Sequence, residues 1–220
     1  MQISHNSIAA SLGLLFLLAV PFGTQAGTQS SIDVYYIPES DFELQPDTVV
    51  PLDIDANGDG YGLKGQFQLG DLLFIHGEYQ AVDYAEDDDT GVLKDDLNTY
   101  RAGLGLFLGA DTPFYLKGEY IGVDLGDTED DGENIDEDFN GYGAHAGVLG
   151  HLGESFNIHG QVGYIDLDGN DGIEYLVGVG FQFFGSLGVF ADYRVTDLEL
   201  DDGGGDLSLT DFRAGARFVF

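Results

Sequence analysis

Cysteine and tryptophan are absent from the 220 residues, and positive charge is scarce: 7 Lys plus Arg stand against 40 Asp plus Glu, a formal net charge of −33. Without cysteine there is no disulfide framework and no thiolate zinc site. With so few cations, nucleic acid and other polyanions are disfavoured partners. Long apolar runs are missing as well. Beyond the first 26 residues no stretch approaches the roughly 20 apolar residues that a membrane-crossing helix needs, so insertion into a bilayer has to use strands. Disorder is excluded in turn, because 43% of the chain is hydrophobic and 13% aromatic, too apolar for an unfolded acidic chain.

Residues 1–26 contain no Asp, Glu, Lys or Arg and carry an apolar run from 8 to 20, then Pro21 and Thr24-Gln25-Ala26. This reads as a secretory signal peptide cleaved after Ala26, although its first residues offer only the amino terminus and His5 in place of the usual basic group. A retained anchor would need a longer run. The expected organisation is a signal peptide at 1–26 and a single domain at 27–220.

Within that domain, alternating apolar and polar tracts are separated by two kinds of connector that take turns. Those following the second, fourth, sixth and eighth tracts are short: 70–71, 109–113, 150–155 and 185–186. Those following the odd tracts are mostly longer and acidic: 39–59, 85–96, 125–139, 168–171 and 200–206. Such alternation places all tight turns at one end of an up-and-down sheet, the long loops at the other, and both termini on the turn side. The expected fold is all-β, an antiparallel transmembrane β-barrel of ten strands, with eight as the alternative. The strands are expected at 31–38, 60–69, 72–84, 97–108, 114–124, 140–150, 156–167, 172–184, 187–199 and 207–220, with no proline at a strand centre.

Parity assigns the faces, because side chains alternate with period two. In the last strand one face reads Phe212, Ala214, Ala216, Phe218, Phe220 and the other Asp211, Arg213, Gly215, Arg217, Val219. A water-soluble barrel shows the same alternation with its apolar side inward, so the position of the aromatics has to decide. On the apolar parity every strand carries an aromatic near its loop end: Tyr36, Tyr61, Tyr79, Tyr100, Tyr120, Tyr142, Tyr164, Tyr175, Tyr193 and Phe212. Near the turn end of the same face lie Phe67, Phe114, Phe156, Phe183, Phe218 and Phe220. Two rings of aromatics roughly 15–20 Å apart suit girdles flanking a bilayer core, so the apolar face is expected to meet lipid.

The opposite parity holds six of the seven basic residues: Lys64, Arg101, Lys117, Arg194, Arg213 and Arg217, with Lys94 in a loop. Beside them lie Glu78, Glu119, Glu174, Asp192 and Asp211, glutamines, and His76, His145 and His159. Charges enclosed in low dielectric must pair, which predicts an ion-pair network filling the lumen. Ten strands leave little more than side-chain room, but inward glycines such as Gly62, Gly103, Gly105, Gly178 and Gly180 leave space for water, so a narrow cation or small-solute pore stays open as the alternative.

Most acidic residues fall in the connectors, including Glu86-Asp87-Asp88-Asp89 and Asp127-Thr128-Glu129-Asp130-Asp131. Solvation of the loops accounts for them. A sharper reading is cation capture: Asp53, Asp55, Asn57 and Asp59 with Gly58 match the first half of a calcium loop, although Lys64 stands where the closing Glu belongs, and the run from Asp166 to Asp171 is a fainter echo. No cofactor is expected beyond loop-bound Ca²⁺ or Mg²⁺. Among nucleophile and base neighbours only Ser155 with His145, His151 and His159 merits notice, and no G-x-S-x-G elbow is present. An enzyme is not expected; a lipid-modifying one is the third reading.

The last strand ends Arg217-Phe218-Val219-Phe220, alternating aromatics with a final Phe. It resembles the carboxy-terminal signature, here Phe218 and Phe220, that the outer-membrane assembly machinery recognises in Gram-negative barrels. With the signal peptide it makes the chain similar to the small outer-membrane β-barrel families, the group of the OmpA transmembrane domain, the Ail and OmpX type and the opacity-protein porins. The resemblance implies a cell outer-membrane location with both termini periplasmic, contact with outer-membrane lipid and lipopolysaccharide, a monomer, and a structural or surface-interaction role without catalysis.

Overall fold

The computed structural model describes residues 30–45, 54–84, 96–108, 114–125, 128–130, 133–135, 138–152, 155–200 and 204–220. The expected signal peptide, Asp53, Lys94 and the acidic run at 86–89 lie outside the described residues. These form twelve strands: β1 (Ser31–Gln45), β2 (Ile54–Leu69), β3 (Leu73–Tyr84), β4 (Asp96–Leu108), β5 (Phe114–Leu125), β6 (Thr128–Asp130), β7 (Glu133–Ile135), β8 (Asp138–Leu152), β9 (Phe156–Leu167), β10 (Asn170–Phe184), β11 (Leu187–Leu200) and β12 (Gly205–Val219). Among the described residues there is no helix long and apolar enough to cross a membrane.

Ten strands close a barrel and the other two, β6 and β7, pair only with each other as a ribbon between β5 and β8. Each barrel strand runs antiparallel to its chain neighbour, and β1 seals the sheet against β12 from Ser31↔Val219 to Gln45↔Asp206. Closure leaves no unpaired edge, the condition a sheet must meet in hydrocarbon. The ten-strand expectation holds, and β9 has its expected bounds. Both described ends, Ser30 and Phe220, meet on the side of the tight turns, where the Phe220 N–H donates to the Ser30 carbonyl at 3.0 Å.

Two differences lie on the loop side. β1 continues to Gln45, seven residues beyond its expected end at 38, and β2 begins at Ile54 rather than 60. Proline sits inside β1 after all. Pro38 falls in a bulge where three steps of β1 match two of each neighbour, Tyr36/Glu39 against β12 and Ile37/Ser40 against β2. A bulge absorbs a residue that has no N–H to give the ladder, and it reverses parity, so Tyr35 and Ile37 point inward before it and Ser40 after it.

The longer β2 corrects the calcium-loop reading. Asp55, Asn57 and Asp59 occupy alternate positions of an extended strand paired with Glu43, Asp41 and Asp83, and all three face outward. At about 6.6 Å between alternate residues they do not fold around one ion as a turn would. Asp59 instead accepts the Tyr36 hydroxyl at 3.0 Å.

The fainter echo at Asp166–Asp171 is a two-residue hairpin. Asp168 and Gly169 have φ of 53° and 92°, the left-handed pair that this tightest connection requires. The Asp168 carboxylate accepts the Asn140 N–H at 2.7 Å, which ties the hairpin to β8. Replacing Gly169→Val forces a branched side chain into the left-handed region, at about 1–2 kcal/mol. The expected result is a lower urea midpoint for the refolded barrel, with the β-sheet circular-dichroism signal retained.

Candidate functional site

The barrel is inside-out relative to a water-soluble one. All ten loop-end aromatics, Tyr36, Tyr61, Tyr79, Tyr100, Tyr120, Tyr142, Tyr164, Tyr175, Tyr193 and Phe212, are exposed on the outer surface. Strand register puts four pairs of them directly opposite: Tyr36↔Tyr61, Tyr79↔Tyr100, Tyr120↔Tyr142 and Tyr193↔Phe212. Their hydroxyls are held at the rim, Tyr79 by Asn98 and Tyr100 and Tyr120 by Asn140. On the turn side Phe218 stacks on Phe220 at 5.9 Å between ring centroids, and Phe220 approaches Phe67 at 6.2 Å.

The charges face inward. Arg217 grips Asp33 with two parallel hydrogen bonds of 2.7 and 2.8 Å. Lys64 lies 3.9 Å from the same carboxylate and 2.7 Å from Asp192. Asp192 also takes Arg213 at 2.5 Å; Arg213 continues to Glu78 at 2.6 Å, and Glu78 to Arg194 at 2.8 Å. Arg194 approaches Glu174 at 3.8 Å, Glu174 holds Arg101 at 2.7 Å, and Arg101 reaches Glu119 at 3.0 Å. Lys117 and His145 end the chain on Glu119 at 2.8 and 2.9 Å.

Of the eleven residues expected in the lumen, ten lie in this one connected series. Asp211 is buried beside it and accepts hydrogen bonds from Ser40 at 2.7 Å and Gln80 at 2.9 Å. Asp33 and Tyr35, which donates to Glu78 at 2.7 Å, complete the arrangement and were not among the sequence candidates. Six cations meet five carboxylates in the series, and the buried Asp211 beside it makes the formal charges cancel.

Beside the in-strand pair Lys117–Glu119 and the diagonal pair Arg101–Glu119, two kinds of contact build the series. Arg217–Asp33 and Arg213–Asp192 join direct cross-strand partners. The pairs Arg194–Glu78, Arg213–Glu78, Arg101–Glu174 and Lys64–Asp192 instead span the lumen, joining β11 and β12 to β3, β4 to β10, and β2 to β11. The trans-lumen pairs bring opposite walls within side-chain reach.

Inward glycines are seats for neighbouring side chains, which corrects the expectation that they leave room for water. Gly62, Gly103, Gly105, Gly178 and Gly180 stand directly opposite Tyr35, His76, Phe74, His159 and Asn157, and a Cβ at any of them would strike that side chain. Beyond the level of the tyrosine ring apolar side chains enter the lumen, beside buried Ser40, Thr99 and Thr196. Ile37, Val82, Tyr84 and Leu97 form one buried cluster, and Ile121, Ile165 and Leu198 another.

One trio among the described residues, Glu119, His145 and Glu174, brings three donor atoms within 4.8 Å of one another. Its carboxylates already hold Arg101 and Lys117, so the cluster is an ion-pair node in which a metal would have to displace two cations. The histidines near Ser155 are dispersed: His145 is buried on Glu119, His159 lies 3.9 Å from Asp192, His151 is exposed at the end of β8, and Ser155 sits in the turn, its carbonyl accepting the Gln182 N–H.

No protein-family model matches the chain, and no curated protein matches it. Among solved structures it is similar to the transport unit of the autotransporter AIDA-I from Escherichia coli, at 13% identity, 98% of each chain covered and a TM-score of 0.53. It also matches the outer membrane protease OmpT from Escherichia coli, at 9% identity over 91% of this chain and 99% of that one with a TM-score of 0.49. A third match is Neisserial surface protein A, at 14% identity over 88% and 99% with a TM-score of 0.43. At such identities the likeness is one of fold, the closed antiparallel barrel.

Truncating Arg194→Ala strips Glu78 and Glu174 of a shared cation inside the lumen, at about 3–5 kcal/mol. Urea titration should show a clear fall in the unfolding midpoint, with Arg194→Lys intermediate because one charge replaces a forked donor. An unchanged midpoint in both variants contradicts the network's structural role.

Proposed function

We propose that the protein is an outer-membrane barrel with a closed lumen and a structural or surface-interaction role, not a pore. The observation that carries this reading is the sequence of obstructions along the axis: pairs that cross from wall to wall, then buried apolar clusters at the loop end. Ions would have to break charged contacts and then pass buried apolar clusters interrupted by Ser40, Gln80, Thr99 and Thr196, at several kcal/mol for each charge left bare. The outward apolar face with its aromatic ring supports residence in a bilayer. The outer membrane is the setting in which such barrels occur, with the tight turns and both termini on the periplasmic side.

In this reading Phe218 and Phe220 serve recognition by the assembly machinery, and the barrel stands as a monomer among lipid and lipopolysaccharide. Its acidic side faces the exterior. Above the tyrosine ring Asp59, Asp83 and Asp96 stand side by side across β2, β3 and β4. Such a rim repels polyanions and favours cationic or cation-bridged partners.

Refolded protein in a planar bilayer should show no stable unitary conductance in either polarity. Steady, cation-preferring current steps would instead establish the narrow-pore reading and overturn the closed one.

A further inference from the structure

The lumen is filled in its middle and at its loop end, but not toward the turns. There a cavity of about 430 Å³ is bounded by the turn-side ends of the strands, from Ser31 on β1 to Val219 on β12. Its size is within the range of small-molecule sites, and among the described residues the ion pairs and the apolar clusters beyond them separate it from the loop end.

The chemistry of its surface differs from the lumen's neutral total. The charged side chains that reach furthest into the cavity are cations, Lys64 at 18% exposed, Lys117 at 12% and Arg217 at 20%, beside His76 and His159 at 11% each and the amides of Gln66, Asn157 and Gln161. The carboxylates that neutralise them are nearly covered, with Asp33 at 2% and Asp192 and Glu119 at 0%. Glu78, at 10%, and Asp33 line the space as well, and their oxygens are already taken: Glu78 by two guanidinium groups and the Tyr35 hydroxyl, Asp33 by Arg217. Arg213 is wholly buried, lines the same cavity, and keeps one terminal nitrogen, Nη2, without a hydrogen-bond partner among the described residues.

A neutral set of charges thus presents its cations to the cavity more openly than its carboxylates. We propose that this turn-side cup binds a small solute carrying an oxyanion, most simply a phosphate group, between Lys64, Lys117 and Arg217. Charge-assisted hydrogen bonds from ammonium and guanidinium groups are the strong means of holding such a group. The phosphate comes either from a free phosphomonoester or from the headgroup of a lipid reaching the barrel mouth. The proposal rests on the cup's geometry, and a conductance result does not decide it.

The test uses the refolded full barrel in a non-ionic, phosphate-free detergent at constant ionic strength in chloride. Inorganic phosphate, glycerol 3-phosphate and short-chain dihexanoyl phosphatidate are titrated separately by calorimetry. Saturable one-site binding is expected. Binding of the first two marks a free solute, and binding of the phosphatidate alone marks a headgroup; either outcome supports the oxyanion site.

Lys117→Gln should weaken binding about tenfold, the loss of one charge-assisted contact. Arg101 remains on Glu119 in that variant. Should Lys117→Gln fail to fold, Asn157→Asp supplies the same test. It is isosteric, places a carboxylate in the cup wall and leaves every ion pair in place, and it should weaken binding at least as much. Absence of saturable binding by all three probes, or binding that Asn157→Asp leaves undiminished, overturns the proposal.

Discussion

Twelve charges gathered inside a narrow barrel, most of them buried, set the terms for the rest of this molecule. An isolated ion there costs several kcal/mol, and the cost is met by a cation within reach of five of the carboxylates and by the neutral donors Ser40 and Gln80 on Asp211. Glu78 shows how far the chain goes to satisfy this, taking Arg194 from β11, Arg213 from β12 and the Tyr35 hydroxyl from β1. Partners so placed require opposite walls to stand close, which fits a ten-strand barrel and not a wide channel. Because the six cations and six acids cancel, the formal net charge of −33 is borne outside this set, and the apolar parity is left for the outer surface.

Much of this was legible in the sequence because period-two alternation survives any error in register. Parity separated Arg213 and Arg217 from Phe212 and Phe218, and the common position of ten aromatics chose which side faces out. What alternation does not carry is who stands opposite whom. The seating of Tyr35 on Gly62 and Phe74 on Gly105 depends on register, so the glycines read as gaps. Asp33 lay inside the expected first strand on the charged parity, so its place in the lumen was legible too; what was not legible is the continuation of β1 past Pro38. The bulge there is a tertiary accommodation that propensity opposes.

Asp55, Asn57 and Asp59 teach a related point. Oxygen-bearing residues at every second position satisfy half a calcium loop, and they equally satisfy one face of a strand. Only pairing with β1 and β3 separates the two, and it resolves as strand. The apolar clusters at the loop end did leave a signal: Ile37, Val82, Ile121, Ile165 and Leu198 are apolar residues on the parity that otherwise carries charge.

The two ends of the lumen therefore differ in kind, one occupied by buried apolar clusters and one open as a cup of donors, with the ion pairs between them. The whole account depends on the charged parity being inside and the apolar parity touching lipid. The absence of native cysteine allows a direct check by single spin labels along β10, at Val177→Cys, Val179→Cys and Leu176→Cys, in barrels reconstituted into lipid vesicles. Labels at 177 and 179 should be relaxed strongly by molecular oxygen, which concentrates in hydrocarbon, and weakly by a water-soluble nickel complex, with the opposite preference at 176. Oxygen preference at 176 and its loss at 177 and 179 would contradict the account.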